Sequence, residues 1–345
     1  MGGARVLELR IEPLDDDAMR GARAELEHKT KPRGSLGRLE ELAVQLAGIG
    51  VSGPRCAIVV AAADHGYADE GVSAYPAEVT RQMLQVFASG GAAISVLSRL
   101  VDAELVVVDA GVREELDDPR VRSVRIGPGT ANATEGAAMS RGQALDALEA
   151  GISLARELAG RVDIVALGDM GIGNTTSAGA LHAALLGVPA AAVCGAGTGL
   201  EPDGVRWKAK VIDRALAANG RLDDPVDVLA ALGGFEIAFL AGVALGAAAE
   251  RLAVVLDGFI VTAAALVAAR LDPTAVAYMV AGHLSPEPGH RLGLAALGLR
   301  PLLDLELRLG EGTGAALALP LLRASLALLS EMATFDQAGV TDAGR

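Results

Sequence analysis

Ile164-Val165-Ala166-Leu167-Gly168-Asp169-Met170-Gly171-Ile172-Gly173-Asn174-Thr175-Thr176 passes from a short apolar run through glycines into helical periodicity. An apolar run too short for a helix and stopped by glycine reads as a buried strand. The pattern recurs along the chain. Residues 57–63 lead to Asp64-His65-Gly66, 105–108 to Asp109-Ala110-Gly111, and 191–194 to Gly195. Residues 253–256 lead to Asp257-Gly258, and 276–280 to Ala281-Gly282-His283. Strands alternating with helices predict an α/β fold: a mainly parallel, doubly wound, Rossmann-like sheet covered on both faces. Ligands of such sheets bind beyond the carboxyl ends of the strands. Most of the Gly, His and acidic residues of this chain fall there.

The two ends read differently. Residues 36–49 and 316–332 have the pattern of amphipathic or apolar helices with no strand among them. They predict a small helical lobe built from residues 1–50 plus about 312–345. A large α/β domain over 51–311 then carries the active site. The most apolar stretch, 237–269, is interrupted by Glu250, Arg251 and Asp257. The uninterrupted runs are too short to span a bilayer and read as buried helix, strand, helix.

Composition excludes some classes. A net charge of −13 disfavours non-specific attraction to nucleic acid or to anionic membrane, so neither is expected as a partner. The two cysteines, Cys56 and Cys194, lack metal-ligand spacing and form no disulfide framework, which fits a reducing compartment. Residues 1–16 carry several charges and no apolar core segment, so a cytoplasmic location is expected.

Glycine turns carry the candidate chemistry. The turn at 168–176 lets backbone amides approach an anion at a helix N-terminus, with Thr175 and Thr176 hydroxyls beside them. It reads equally as a tight strand-to-helix turn capped by Asn174 or Thr175. Gly195-Ala196-Gly197-Thr198-Gly199 repeats the pattern, and two such turns on consecutive strands suit a phosphorylated ribose. Lys208 follows on the next helix and, taken alone, reads as a solvated charge. Glu311, among glycines before a long apolar helix, either complements the positive end of that helix or serves as a general base. Ser73 and Gln82 either contact a ligand or coat a helix beginning near Pro76. His283, Glu287 and His290 invite a metal reading, but the proline-rich spacing does not place them on one helical face. No metal is expected.

Together these segments resemble one family. Lys31-Pro32-Arg33-Gly34-Ser35-Leu36-Gly37-Arg38-Leu39, residues 64–76, Gly90-Gly91-Ala92-Ala93-Ile94 and 171–176 are similar to its hallmark segments. So are Gly197-Thr198-Gly199-Leu200, 285–290, 307–314 and Glu331-Met332-Ala333-Thr334-Phe335. All stand in the family's order. The family is the nicotinate-nucleotide:dimethylbenzimidazole phosphoribosyltransferases, of the nucleotide-loop branch of cobalamin biosynthesis.

The resemblance implies a reaction. Nicotinate mononucleotide gives its phosphoribosyl group to 5,6-dimethylbenzimidazole, yielding α-ribazole 5'-phosphate and nicotinate with inversion at the anomeric carbon. No cofactor is implied. Glu311 matches the family's catalytic glutamate, and Asp169 and Lys208 match positions near the reacting groups. Ser73 and Gln82 match positions lining the base pocket, with Met170 and Leu309 as apolar walls. Gly171, Gly173, Asn174, Thr175, Gly197, Thr198, Gly199 and Ser285 match the grip on the ribose phosphate. A homodimer is implied. Asp169 stands where relatives more often carry Glu, one methylene longer.

Three other classes compete. A nicotinamide-dependent dehydrogenase predicts a full dinucleotide fingerprint followed by an acid, which neither glycine turn supplies. A pyrophosphate-using phosphoribosyltransferase needs a paired acid after an apolar strand, and Asp109 stands singly. A non-catalytic nucleotide-binding scaffold would tolerate loss of Glu311.

Overall fold

The computed structural model describes residues 7, 9–197 and 199–341. Its centre is one parallel sheet of β1 (Cys56–Ala63), β2 (Glu104–Gly111), β3 (Val121–Ser123), β4 (Ile164–Met170), β5 (Ala253–Leu256) and β6 (Met279–Ala281). The strand order is β3-β2-β1-β4-β5-β6. Side chains alternate between the faces of a strand, yet every residue of β1 is buried. Both faces of the sheet are therefore covered there, which explains why CAIVVAAA is continuously apolar rather than alternating.

Helices α1 (Asp16–His28) and α2 (Arg38–Ile49) precede β1. Helices α3 (Glu78–Ser89) and α4 (Ala93–Leu100) connect β1 to β2, and α5 (Arg141–Leu158) connects β3 to β4. Between β4 and β5 come α6 (Asn174–Leu186), α7 (Ala190–Val193), α8 (Pro202–Asn219), α9 (Pro225–Leu232) and α10 (Phe235–Ala249). Helix α11 (Phe259–Leu271) joins β5 to β6, followed by α12 (Pro288–Leu297), α13 (Thr313–Glu331) and α14 (Phe335–Ala338). The sequence of α10 is apolar all round and the helix is accordingly buried from Phe235 to Ala248, against α5 and the sheet.

Two strand assignments change. Residues 191–194, read as a strand, belong to the single helical turn α7 and its cap. Pro189 precedes three alanines, the best helix formers, and β5 already occupies the slot beside β4. The strand that sequence missed is β3, an edge strand of three residues with only Val121 buried. In the stretch 276–280, the first residues lie in a 3-10 turn, Pro273–Tyr278, and only Met279–Ala281 pairs with β5.

The terminal helices meet one another. Ala22 and Leu26 of α1 pack on Ala43 and Val44 of α2, with Met19, Ala47 and Leu329 beside them. Leu42, Leu46 and Ile49 of α2 and Leu319 and Leu322 of α13 join the main core. Lys29, almost fully buried, donates to the Met332 carbonyl and pairs with Glu25. Lys31 is likewise buried and pairs with Glu40 at 2.8 Å, which gives part of the 31–39 segment a structural role. By length and composition α13 could cross a membrane, but its apolar residues are accounted for by contact with β4, β5, α2 and α4.

The strand order reverses between β1 and β4, the point where open α/β sheets receive ligands. Asp64 and His65 follow β1 there, and Gly171 follows β4.

Candidate active site

The loop 307–312 lies directly on the end of β4. A side chain at Gly168 would bring its Cβ to 2.4 Å from the Gly312 nitrogen and 2.5 Å from the Glu311 carbonyl carbon, so only glycine allows this approach. The Glu311 N–H donates to the Asp169 carbonyl at 3.2 Å. Glu311 adopts a left-handed backbone, φ +62°, which costs a non-glycine residue about 1–2 kcal/mol. Asp257, just past β5, accepts from the N–H groups of Gly312 (3.2 Å) and Ala315 (2.9 Å), satisfying the N-terminus of α13. His283, past β6, lies 3.5 Å from Asp257.

These contacts hold several buried acids close together. Burial pushes the Glu311 carboxyl above the usual glutamate range; the Ile94 N–H, 3.5 Å from Oε2, opposes this, and the Asp257 charge adds to it. Asp169 is raised well above the aspartate range, first by burial, then by Asp257 and Glu236, against the Asn174 side-chain N–H that donates at 2.9 Å. Asp169 is therefore driven towards its neutral form, and Glu311 is less so.

Beside this loop opens a cleft of about 650 Å³ including its mouth. Met170, Gly171, Asn174 and Thr175 line one side, and Ser285, Glu287, His283, Phe259 and Ile260 another. Arg308, Leu309 and Gly310 edge it, with Leu309 exposed. The N-terminus of α6 faces the same space through the 171–175 turn; no side chain caps it, so the positive end of the helix is open to an anion. Lys208 is 1% exposed, not a solvated helix charge. Its Nζ donates to Thr175 Oγ1 and to the Gly195 carbonyl, each at 3.2 Å. Burial pulls this ammonium below the usual lysine range, and the Glu287 charge opposes the shift. Glu287 Oε1 accepts from the Gly197 N–H at 2.7 Å. The two glycine turns are thus joined through Lys208, and Glu287 ties the second to the 285–290 loop.

Sequence-derived candidates separate into groups. Asp169, Met170, Gly171, Asn174, Thr175, Gly197, Ser285 and Leu309 line the cleft. Glu311 and Lys208 flank it, Glu311 with its carboxylate towards the Ile94 N–H and Lys208 beneath Thr175. Gly173 caps α6 and Gly199 lies exposed in a turn, neither among the lining residues. Thr198 lies outside the described residues. Ser73 and Gln82 are not in the cleft wall. The Ser73 hydroxyl accepts from the Tyr75 N–H at 3.2 Å, and Gln82 is exposed on α3. Helix α3, which carries Gln82, is nevertheless anchored to the site, because Thr80 Oγ1 accepts from the Ile172 N–H at 3.1 Å.

Sequence reasoning gave no role to Asp257, discounted His283 and Glu287, and passed over Phe259, Ile260 and Arg308. Asp257 and His283 were visible as polar residues ending apolar runs. Phe259 and Ile260 gave no signal, since they read as ordinary core. His290, whose pKa burial pulls down to about 3, is a neutral acceptor for the Ser285 N–H at 2.9 Å. Among the described residues no group of three His, Cys, Asp or Glu side chains is placed to hold a metal ion. Trp207, beside Lys208, donates its indole N–H to the Glu70 carbonyl at 2.7 Å.

Residues 11–340 match the family model DBI_PRT, described as phosphoribosyltransferase. The chain belongs to this phosphoribosyltransferase family. It is accordingly an enzyme of pentosyl transfer. A nicotinate-nucleotide--dimethylbenzimidazole phosphoribosyltransferase of Desulforudis audaxviator is 53% identical over 344 residues, covering 97% of each chain. One of the same name from Pseudomonas putida is 52% identical over 338 residues, covering 96% of each. The crystal structure of CobT from Thermus thermophilus superposes with a TM-score of 0.91 at 50% identity, covering 94% of this chain and 99% of that one.

Proposed function

We propose that this enzyme transfers the phosphoribosyl group of nicotinate mononucleotide to 5,6-dimethylbenzimidazole, in assembly of the cobalamin nucleotide loop. The observation that carries the reading is a carboxyl of raised pKa, Glu311, locked by its backbone to the strand that opens a phosphate-suited turn.

The 5'-phosphate sits on the N-terminus of α6, with Thr175, Gly197 and Ser285 around it. Lys208 supplies positive charge from below. Met170 and Leu309 wall the base, and Ser73 and Gln82 approach it from the α3 side. The leaving group is a pyridinium whose nitrogen takes the bonding pair and departs uncharged, so its departure calls for no Lewis acid. The nucleophilic nitrogen attacks the anomeric carbon from the opposite face, which inverts the centre from β to α. Glu311 accepts the proton from the other ring nitrogen of the base. Its carboxylate also favours the positive charge that develops on the sugar. Asp169, raised above the aspartate range by burial, accepts from the Asn174 side-chain N–H and meets the substrate directly or through a water.

Three further assignments go with this reading: a homodimer, a cytoplasmic location, and the division into a helical lobe (1–50 with 312–345) and an α/β domain (51–311). The test of the reaction is incubation with nicotinate mononucleotide and dimethylbenzimidazole. Mass spectrometry should find α-ribazole 5'-phosphate and nicotinate, and the anomeric proton coupling should report the α configuration. Absence of both products, or a β product, rejects the reading.

A further inference from the structure

His65 and Glu236 lie at the reversal point of the sheet, directly behind the turn described above. His65 is the second residue past β1, and Glu236 is the second residue of α10. Both side chains are completely buried, and His65 Nε2 lies 2.7 Å from Glu236 Oε1. The bond between the two side chains fixes the orientation of the imidazole ring. The N-terminus of α10 gives that carboxylate a favourable end of a helix dipole.

The imidazole is enclosed between two glycines. A Cβ at Gly171 would stand 3.2 Å from His65 Cδ2 and Nε2, and one at Gly234 only 2.2 Å from Cε1. Gly171 lines the cleft, and its carbonyl accepts from the Asn174 N–H at 3.1 Å at the start of α6. The ring therefore lies against the back of the turn whose front faces the ligand. An apolar side chain would fill that space equally well. A buried charged or polar pair in its place costs desolvation unless its geometry is used.

We propose that His65 and Glu236 form a positioning pair: Glu236 fixes the imidazole, and the imidazole fixes Gly171 and hence the amides that receive the phosphoribosyl phosphate. The inference rests on the reaction proposed above, since it names which half of that reaction the pair serves. The pair meets the nucleotide-binding turn at Gly171, and Glu236 reaches Asp169 only through its charge, so its loss should act first on nucleotide binding.

Glu236→Gln keeps the shape of the side chain and weakens its hold on the ring. KM for nicotinate mononucleotide should rise about tenfold, while KM for dimethylbenzimidazole and kcat stay within about twofold of wild type. Glu236→Asp, which retains the charge, should recover part of the loss. Two results overturn the pair: an unmoved nucleotide KM, or an equal loss in both KM values and kcat alongside a lowered unfolding temperature. Should the Gln variant fail to fold, His65→Gln is read in the same way, and failure of both to fold assigns the pair to stability alone. Wild-type turnover in the same assay separates the two readings. An inactive wild type defeats the reaction, whereas an active wild type with an unmoved KM in E236Q defeats only the pair.

Discussion

The main-chain N–H of Glu311 donates to the carbonyl of Asp169, so two acids far apart in the chain are held in one fixed relation at the end of β4. Neither side chain takes part in that bond. Either carboxyl can therefore be altered while the loop keeps its backbone anchor, which makes side-chain substitutions here readable.

Glu311→Gln should lower kcat roughly 10²–10⁴-fold, the usual contribution of a positioned base. Binding of nicotinate mononucleotide, followed by calorimetry, should stay near normal. Turnover equal to wild type removes Glu311 from the chemistry.

The pH profile should be narrowed from both sides. A base must be deprotonated, so the acid limb rises through the pKa of Glu311, displaced above the ordinary glutamate value by burial. A phosphate-binding ammonium must stay protonated, so the alkaline limb falls through the pKa of Lys208, displaced below that of free lysine. Measurement of kcat/KM against pH for wild type and E311Q should show the acid limb vanishing in the variant.

Lys208→Met should weaken binding of nicotinate mononucleotide about tenfold to a hundredfold, as expected for about 1.5–3 kcal/mol of charged hydrogen bonding. Affinity for inorganic phosphate should fall with it, and affinity for the base should not. Equal effects on base and nucleotide would count against the phosphate assignment.

Asp169→Asn should stabilise the fold while impairing activity. The folded pKa of Asp169 lies above its unfolded value, so the folded state binds the proton more tightly. Its contribution is fully present below the unfolded pKa and lost as pH rises through the folded one, at about 1.4 kcal/mol per unit of displacement. Asn cannot ionise and avoids that loss. Thermal unfolding at pH 5 and pH 8 should show the variant's advantage growing at the higher pH.

Gly168→Ala should displace the 307–312 loop, because its Cβ would overlap Gly312 and Glu311 backbone atoms. A shift of about 1 Å in Glu311 is enough for roughly a 10²-fold loss in kcat. Full activity in this variant would mean that the loop is not held as tightly as the geometry implies.

Much of the fold is legible in the sequence. Apolar runs ended by glycine or acid located β1, β2, β4 and β5 because doubly covered strands cannot alternate. Residues 191–194 deceived for the same reason, since four apolar residues in a helical turn look like four in a strand. β3 escaped because it is a short edge with two exposed residues, and nothing apolar marks it. The glycine turns were legible as turns, and resemblance supplied their role. Burial of Lys208 was hidden, because it depends on loop 195–197 folding back over α8. So was the left-handed conformation of Glu311, which arises from its bond to Asp169 rather than from its own residue type.

Trp207 is the chain's sole tryptophan, and its indole is tethered to a loop carbonyl one residue before the buried ammonium. Tryptophan emission from this protein therefore originates at a single place, on the helix that carries Lys208. Ligand arrival can be followed by light alone, with no dye attached and no second fluorophore of its kind to dilute the signal.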